Sequence, residues 1–100
     1  MYGTVARLRV KSGMAEQFNT LGDEQMAASA PGMLGSLVYQ SSADEQEFWL
    51  VVAFESRAAY EANAGAPEQH ERFTRMRELL AADPEWHDGS VIASYGAFKQ

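Results

Sequence analysis

The stretch FWLVVAF, residues 48–54, is apolar at every position. In an extended strand its side chains alternate between two faces, with Phe48, Leu50, Val52 and Phe54 on one and Trp49, Val51 and Ala53 on the other. A strand that is apolar on both faces must be covered on both. Helices of the same chain can cover one face, and a second copy of the protein is the simplest cover for the other.

Three other segments are predicted to be strands. Residues 2–10 alternate, with Tyr2, Thr4, Ala6, Leu8 and Val10 on one face. Residues 33–41 precede the polar loop SADEQ, so they form a hairpin with residues 47–55. The alternating segment SVIASYGAF, residues 90–98, is predicted to be the last strand, after a polar turn formed by PEWHDG.

Helices are predicted between these strands. Ser12 is a candidate N-cap for a first helix that runs toward Pro31. Ser56 can cap a short helix over RAAYEAN, and a longer helix begins near Pro67 and ends before Pro84. The apolar stripe of the longer helix consists of Phe73, Met76 and Leu80.

The predicted order is strand, helix, strand, strand, broken helix, strand. This order indicates an α+β fold of the ferredoxin-like split β-α-β type, with a four-stranded antiparallel sheet in one domain over residues 1–100. The helices lie on one face of the sheet, so we expect a homodimer.

Composition excludes several classes of function. The 100 residues carry a net charge of −6 and no run of Lys or Arg, which argues against nucleic acid as a partner. Seven apolar residues in FWLVVAF are far fewer than the roughly 20 that span a bilayer, and the N-terminus does not have the pattern of a signal peptide. The absence of cysteine excludes thiolate chemistry, and the two histidines lack the spacing of metal ligands. We expect a cytoplasmic protein without a metal or other cofactor.

Residues 48–73, FWLVVAFESRAAYEANAGAPEQHERF, resemble the antibiotic biosynthesis monooxygenase family. The shared pattern is an apolar central strand, an acidic residue and Ser, an alanine-rich helix, a break, and a histidine that heads the next helix. The resemblance covers nearly the whole chain and implies a dimeric α/β barrel. The family includes cofactor-independent oxygenases of aromatic polyketides, haem-degrading enzymes and a signal-molecule isomerase, so the fold alone does not select an activity.

The resemblance also implies a ligand cavity between the sheet and the helices of each subunit. Its wall is expected to include Thr4 and Ala6 from the first strand and Asn63 and His70 from the broken helix, with Phe73 beside them and Tyr95 from the last strand. The haem-degrading members have an asparagine on the first strand and a tryptophan before the histidine. Ala6 and Asn63 stand at those places, so we do not expect this protein to degrade haem.

Two interpretations of these residues stay open. His70 either accepts a proton from a substrate, since a helix N-terminus favours the neutral imidazole, or is a polar residue at the boundary of the helix. Asn63 either holds a substrate oxygen or simply ends its helix. The function is correspondingly either cofactor-free oxygenation of a small aromatic phenol or hydroquinone, or a non-catalytic dimeric module that binds a small ligand or serves assembly.

Overall fold

One antiparallel sheet forms the frame of the computed structural model, which describes residues 1–27 and 30–96. Its elements are β1 Tyr2–Arg9, α1 Ala15–Ala27, β2 Met33–Gln40, β3 Glu47–Phe54, α2 Arg57–Ala64, α3 Pro67–Arg77 and β4 Glu85–Ser90. The four strands lie in the order β2-β3-β1-β4, and every neighbouring pair is antiparallel. The predicted α+β ferredoxin-like fold is therefore confirmed.

The alternation predicted for β1 is present in the structure. Thr4, Ala6 and Leu8 are buried toward the helices, whereas Arg7 and Arg9 are exposed on the outer face. Both neighbours of β1 are in register with it, so side chains form rows across the sheet. One row is Val52–Thr4–Asp88, and the next is Leu50–Ala6–Trp86.

The hydrophobic core lies toward one end of the sheet. Leu8 and Val10 of the first strand pack there with Phe18 of α1, and the Phe18 ring lies 5.1 Å from that of Phe48. Leu80 joins this core from a turn beyond α3, where it forms an isolated bridge with Val10. Burial of these large side chains stabilises the fold by about 1.5–3 kcal/mol each. The row that contains Thr4 lies beyond this core and faces the space under α2 and α3.

The helix boundaries differ in detail from the prediction. Ser56 caps α2 as expected, with its Oγ accepting a hydrogen bond from Ala59 N at 3.1 Å. α1 begins at Ala15, so Ser12 precedes it by three residues and does not cap it. α3 ends at Arg77 rather than near Pro84, and its apolar stripe is completed by Leu80 from outside the helix.

The prediction of the last strand was wrong. The chain pairs with β1 through Glu85–Ser90, of which residues 85–89 were predicted to be a turn and only Ser90 to be in the strand. Residues 91–95 have no regular structure. Residues 97 and 98 of the predicted strand lie outside the described residues. β4 is a polar strand at the edge of the sheet, and its pairing with β1 overrides the weak intrinsic preference of Asp, His and Gly for a strand.

Candidate functional site

A cavity of about 480 Å³ lies between the helix-facing side of the sheet and the pair α2 and α3. Its floor is apolar and consists of Leu50, Val52 and Phe54 of β3. A second lobe of about 410 Å³ extends toward α1 and β2 and shares that floor. Each lobe is within the range of about 300–1,000 Å³ that is usual for small-molecule sites.

Both predicted catalytic residues, Asn63 and His70, line this cavity. Asn63 lies near the end of α2, where its backbone carbonyl accepts a hydrogen bond from Ala66 N at 3.1 Å. Its backbone therefore helps to end the helix while its side chain remains available to the cavity. Both interpretations of Asn63 are compatible with this geometry.

His70 is the fourth residue of α3 and is exposed at the edge of the cavity. Pro67 opens this helix, and Ala66 before it supplies no side-chain cap. The His70 carbonyl accepts a hydrogen bond from Thr74 Oγ1 at 2.9 Å. No side chain among the described residues bonds to the imidazole. The ring can therefore receive a proton from a ligand, but no carboxylate orients it.

The four residues predicted to bind substrate do not all line the cavity. Thr4 and Phe73 line the cavity. Ala6 is 0% exposed and lies beneath the cavity, where its small side chain leaves room between Leu50 and Trp86 in the same row. Tyr95 is 82% exposed in the irregular segment after β4, so it does not line this cavity. Its predicted position depended on the last strand, which was placed incorrectly.

Two residues of β4 line the cavity and were missed by the sequence analysis, namely Trp86 and Asp88. The ring of Trp86 packs on Phe73 with the centroids 6.2 Å apart and the planes at 42°. Residues at i and i+2 of a strand share a face, so reading PEWHDG as a strand would have placed both side chains together.

Tyr60 of α2 also lines the cavity. Its hydroxyl donates a hydrogen bond to Asp88 Oδ1 at 2.8 Å, and its ring packs edge-on against Phe54 at 5.6 Å. Burial, followed by the interaction with Asp88, raises the pKa of Tyr60 to about 12. The phenol therefore stays protonated at neutral pH. Its position three residues before Asn63, on the same helix face, is the signal that could have identified it.

The described residues contain neither a cluster of metal ligands nor a membrane-spanning helix. Within residues 1–27 and 30–96, no group of three or more His, Asp or Glu side chains is arranged to hold a metal ion. None of the helices in that part of the chain has the length and apolar character needed to cross a membrane.

The outer face of the sheet has a second apolar surface. Leu37 and Tyr39 of β2 are exposed there beside Val51 and Trp49 of β3, and Val5 of β1 is also exposed. Tyr39 and Trp49 stack with their ring centroids 6.5 Å apart. Described helices of the chain pack on the opposite face. This outer apolar surface comprises Val5, Leu37, Tyr39, Trp49 and Val51.

Comparisons with known proteins agree with this geometry. The family model for antibiotic biosynthesis monooxygenases matches residues 1–75. A candidate antibiotic biosynthesis monooxygenase from Chloroflexus aurantiacus superimposes with a TM-score of 0.79 at 26% identity, over 96% of this chain and 97% of that chain. A candidate from Caulobacter crescentus gives a TM-score of 0.81 at 21% identity, over 92% of this chain and 90% of that chain.

A mutant of SnoaB, a cofactor-independent oxygenase from Streptomyces nogalater, is also similar in structure. It superimposes with a TM-score of 0.80 at 17% identity, over 93% of this chain and 94% of that chain. At that identity the likeness concerns the fold. A search of functionally curated proteins finds no significant match.

Proposed function

The chain belongs to the antibiotic biosynthesis monooxygenase family, and on this premise we propose that it is a cofactor-independent monooxygenase of a small aromatic phenol, hydroquinone or polyketide-like ring. The observation that carries the proposal is the cavity that Asn63 and His70 both line, next to the apolar floor supplied by β3. The family resemblance led us to expect both residues at a cavity wall, and the fact that both line the same cavity supports the proposal.

Cofactor-free oxygenation requires few functional groups from the protein. An electron-rich ring that loses a proton from carbon becomes a carbanion, which can reduce dioxygen directly in a site that excludes water. For a ring methylene the reaction balances as R₂CH₂ + O₂ → R₂C=O + H₂O. The carbon loses four electrons, one oxygen atom forms the carbonyl, and the other leaves as water. The protein must bind the ring, take the proton and hold the developing oxyanion.

The cavity residues fit these roles. His70 accepts the proton, because its imidazole has no competing partner among the described residues. The Asn63 carboxamide donates a hydrogen bond to the oxygen on which charge develops. Phe73 and Trp86 contact the ring at one wall, where their aromatic faces provide a large apolar area.

The test is oxygen uptake with a panel of anthrones, naphthols and hydroquinones, with a metal chelator present and without flavin or nicotinamide. A general base typically contributes about 10²–10⁴-fold, so His70→Ala should lower kcat by that order while the melting temperature stays nearly unchanged. His87→Ala is the matched control, since His87 is bound to Glu85 on the outer face of β4 and should retain full activity. If His70→Ala consumes oxygen as fast as the parent, His70 is not the base.

A non-catalytic dimeric module that binds a small ligand is the second candidate function. His70 is exposed, and no carboxylate among the described residues orients it. Both facts favour this candidate, because catalytic histidines are commonly held in one orientation by a third group. Saturable binding of an aromatic ligand without any oxygen uptake across the panel would support it.

Both candidate functions involve a dimer. Proteins of this family are typically dimeric. We propose that two copies meet through the outer apolar surface defined above, with each chain covering the other's unpartnered sheet face. This arrangement supplies the second cover that FWLVVAF requires and would complete a dimeric barrel.

A further inference from the structure

We propose that Thr4 and Asp88 form a polar end of the cavity that binds a neutral hydroxyl group of an aromatic ligand and rejects a carboxylate. This inference rests on the proposed function only in taking the ligand to be aromatic. Both side chains line the cavity, and they are register partners in adjacent strands. Their Cβ atoms are therefore about 4.5–5.5 Å apart on the same sheet face.

Thr4 provides the first observation. The residue is only 6% exposed, and its Oγ1 is buried without a well-aligned hydrogen bond among the described residues. The hydroxyl of Tyr60 is a polar neighbour of this group, since burial and Asp88 raise the pKa of Tyr60 while Thr4 acts more weakly to lower it. Buried hydroxyl groups are nearly always hydrogen-bonded, since an unmet donor forfeits its bonds to water. A buried hydroxyl that has no well-aligned partner in the chain and borders a cavity is suited to a partner from a ligand.

Asp88 provides the second observation. Its Oδ1 accepts the hydrogen bond from Tyr60, which holds the carboxylate against the cavity wall. The Tyr60 ring is itself fixed between Phe54 and Tyr2, at centroid distances of 5.6 Å and 5.3 Å. An ionised carboxylate has acceptor capacity on both oxygens, so one hydrogen bond from Tyr60 does not exhaust it.

The two groups together select one kind of ligand atom. Asp88 can only accept a hydrogen bond, whereas the Thr4 hydroxyl can donate one. A phenolic hydroxyl matches both, because it donates one hydrogen bond and accepts another. A carboxylate can accept from Thr4 but is repelled by the like charge of Asp88, and a ring without oxygen offers no hydrogen bond to either group.

The apolar wall next to this polar end fits the ring of the same ligand. Trp86 precedes Asp88 by two residues on the same strand face, and Phe73 packs against it. Leu50 and Val52 supply the floor in the rows that contain Trp86 and Asp88. A ligand whose hydroxyl meets Thr4 and Asp88 would therefore place its ring against Trp86.

The test uses isothermal titration calorimetry at pH 7 with 2-naphthol and 2-naphthoate as probes. The parent should bind 2-naphthol at least about tenfold more tightly than 2-naphthoate. Thr4→Val should weaken 2-naphthol about tenfold, the usual effect of one hydrogen bond, and should leave the melting temperature unchanged or raise it. A structural role for the hydroxyl would instead lower that temperature.

Asp88→Asn should change the binding affinities for the two probes in opposite directions. It should weaken 2-naphthol about tenfold, because an amide NH₂ replaces an acceptor, and it should tighten 2-naphthoate by removing the like charge. Asp83→Asn is the matched control for net charge, since Asp83 is paired with Arg77 outside this cavity. Both probes should bind that control within about twofold of the parent.

The inference is overturned if the parent fails to bind 2-naphthol, if it binds both probes equally, or if Thr4→Val binds 2-naphthol as well as the parent does. Thr4→Val keeps the test decisive even where Asp88→Asn does not fold. Oxygen uptake is measured separately. Selective binding of 2-naphthol without turnover of any compound would support the hydroxyl site and contradict the monooxygenase. Turnover that is unchanged by Thr4→Val and by Asp88→Asn would support the monooxygenase and contradict the hydroxyl site.

Discussion

At the scale of single residues, Tyr60 links the helices to the edge strand of the sheet. Its hydroxyl bonds to Asp88 at 2.8 Å, and partial burial and this bond raise its pKa from 10.0 to about 12. The folded protein therefore holds the phenolic proton more tightly than the unfolded chain does. The corresponding contribution to stability is fully present below pH 10.0 and is lost as the pH rises through about 12.

Tyr60→Phe should remove this pH dependence. The free energy of unfolding of the parent, measured relative to the variant, should fall between pH 10.0 and about 12. A shift of two units corresponds to about 2.7 kcal/mol, which solvent screening of this partly exposed group reduces to about 1 kcal/mol. Urea denaturation at several pH values measures it, with Tyr95→Phe at an exposed tyrosine as the control. Parallel curves for the parent and Tyr60→Phe would show that folding does not raise the pKa of Tyr60.

Asn63 allows a second test at this scale. If its carboxamide orients the substrate oxygen, Asn63→Ala should lower kcat by about 10²-fold or less. Asn19→Ala is a suitable comparison, since Asn19 lines only the lobe next to α1. Steady-state kinetics on the best substrate of the oxygen-uptake panel separate the two, and an unchanged kcat for Asn63→Ala would favour its role as a helix-terminating residue.

At the scale of elements, α2 is short and depends on how it is capped. It spans the 8 residues Arg57–Ala64, contains no buried residue, and carries both Tyr60 and Asn63. Helices this short are only marginally stable without tertiary contacts, so an N-cap contributes a large part of their stability. The Ser56 cap and the ring contacts of Tyr60 therefore maintain one wall of the cavity.

Ser56→Ala should lower the free energy of unfolding by about 1 kcal/mol, because Ala59 N loses its acceptor at the first turn of α2. Ser42→Ala, in the exposed loop between β2 and β3, should leave stability within about 0.5 kcal/mol of the parent. Urea denaturation of the two variants is the measurement. Equal midpoints would mean that the tertiary contacts of α2 make its cap redundant.

At the scale of the whole molecule, the sheet has two different faces. The inner face carries the core and the cavity, and the outer face carries the apolar surface of Val5, Leu37, Tyr39, Trp49 and Val51 without a described helix over it. Contiguous exposed apolar surfaces on small proteins commonly mark interfaces between proteins. The dimer proposed above places this surface between two copies.

Val51→Asp should weaken the proposed dimer, because a buried unpaired charge destabilises an interface by several kcal/mol. Light scattering should give about twice the chain mass of 11.0 kDa for the parent and a lower average mass for the variant. Ser42→Asp adds the same charge in the exposed hairpin loop and should remain dimeric. A parent that stays monomeric at micromolar concentration would contradict the interface.

The sequence by itself determined the α+β class, the first three strands and the short capped helix. Period-2 alternation in residues 2–10 and the doubly apolar FWLVVAF are local patterns, and only a few folds bury such patterns. Asn63, His70, Thr4 and Phe73 could likewise be assigned to a cavity wall, since the resemblance and the helical stripe pointed to one side of the sheet.

Only the tertiary structure decided which segment forms the last strand, and with it the part of the cavity wall that Trp86 and Asp88 supply. The alternating apolar residues after Ser90 were the stronger local strand signal, yet β1 pairs with the polar segment Glu85–Ser90. Pairing with an edge strand is stabilised by backbone hydrogen bonds, which depend on where the chain returns to the sheet and carry little side-chain pattern. Because Glu85–Ser90 is the segment that pairs with β1, Trp86 and Asp88 line the cavity and Tyr95 does not.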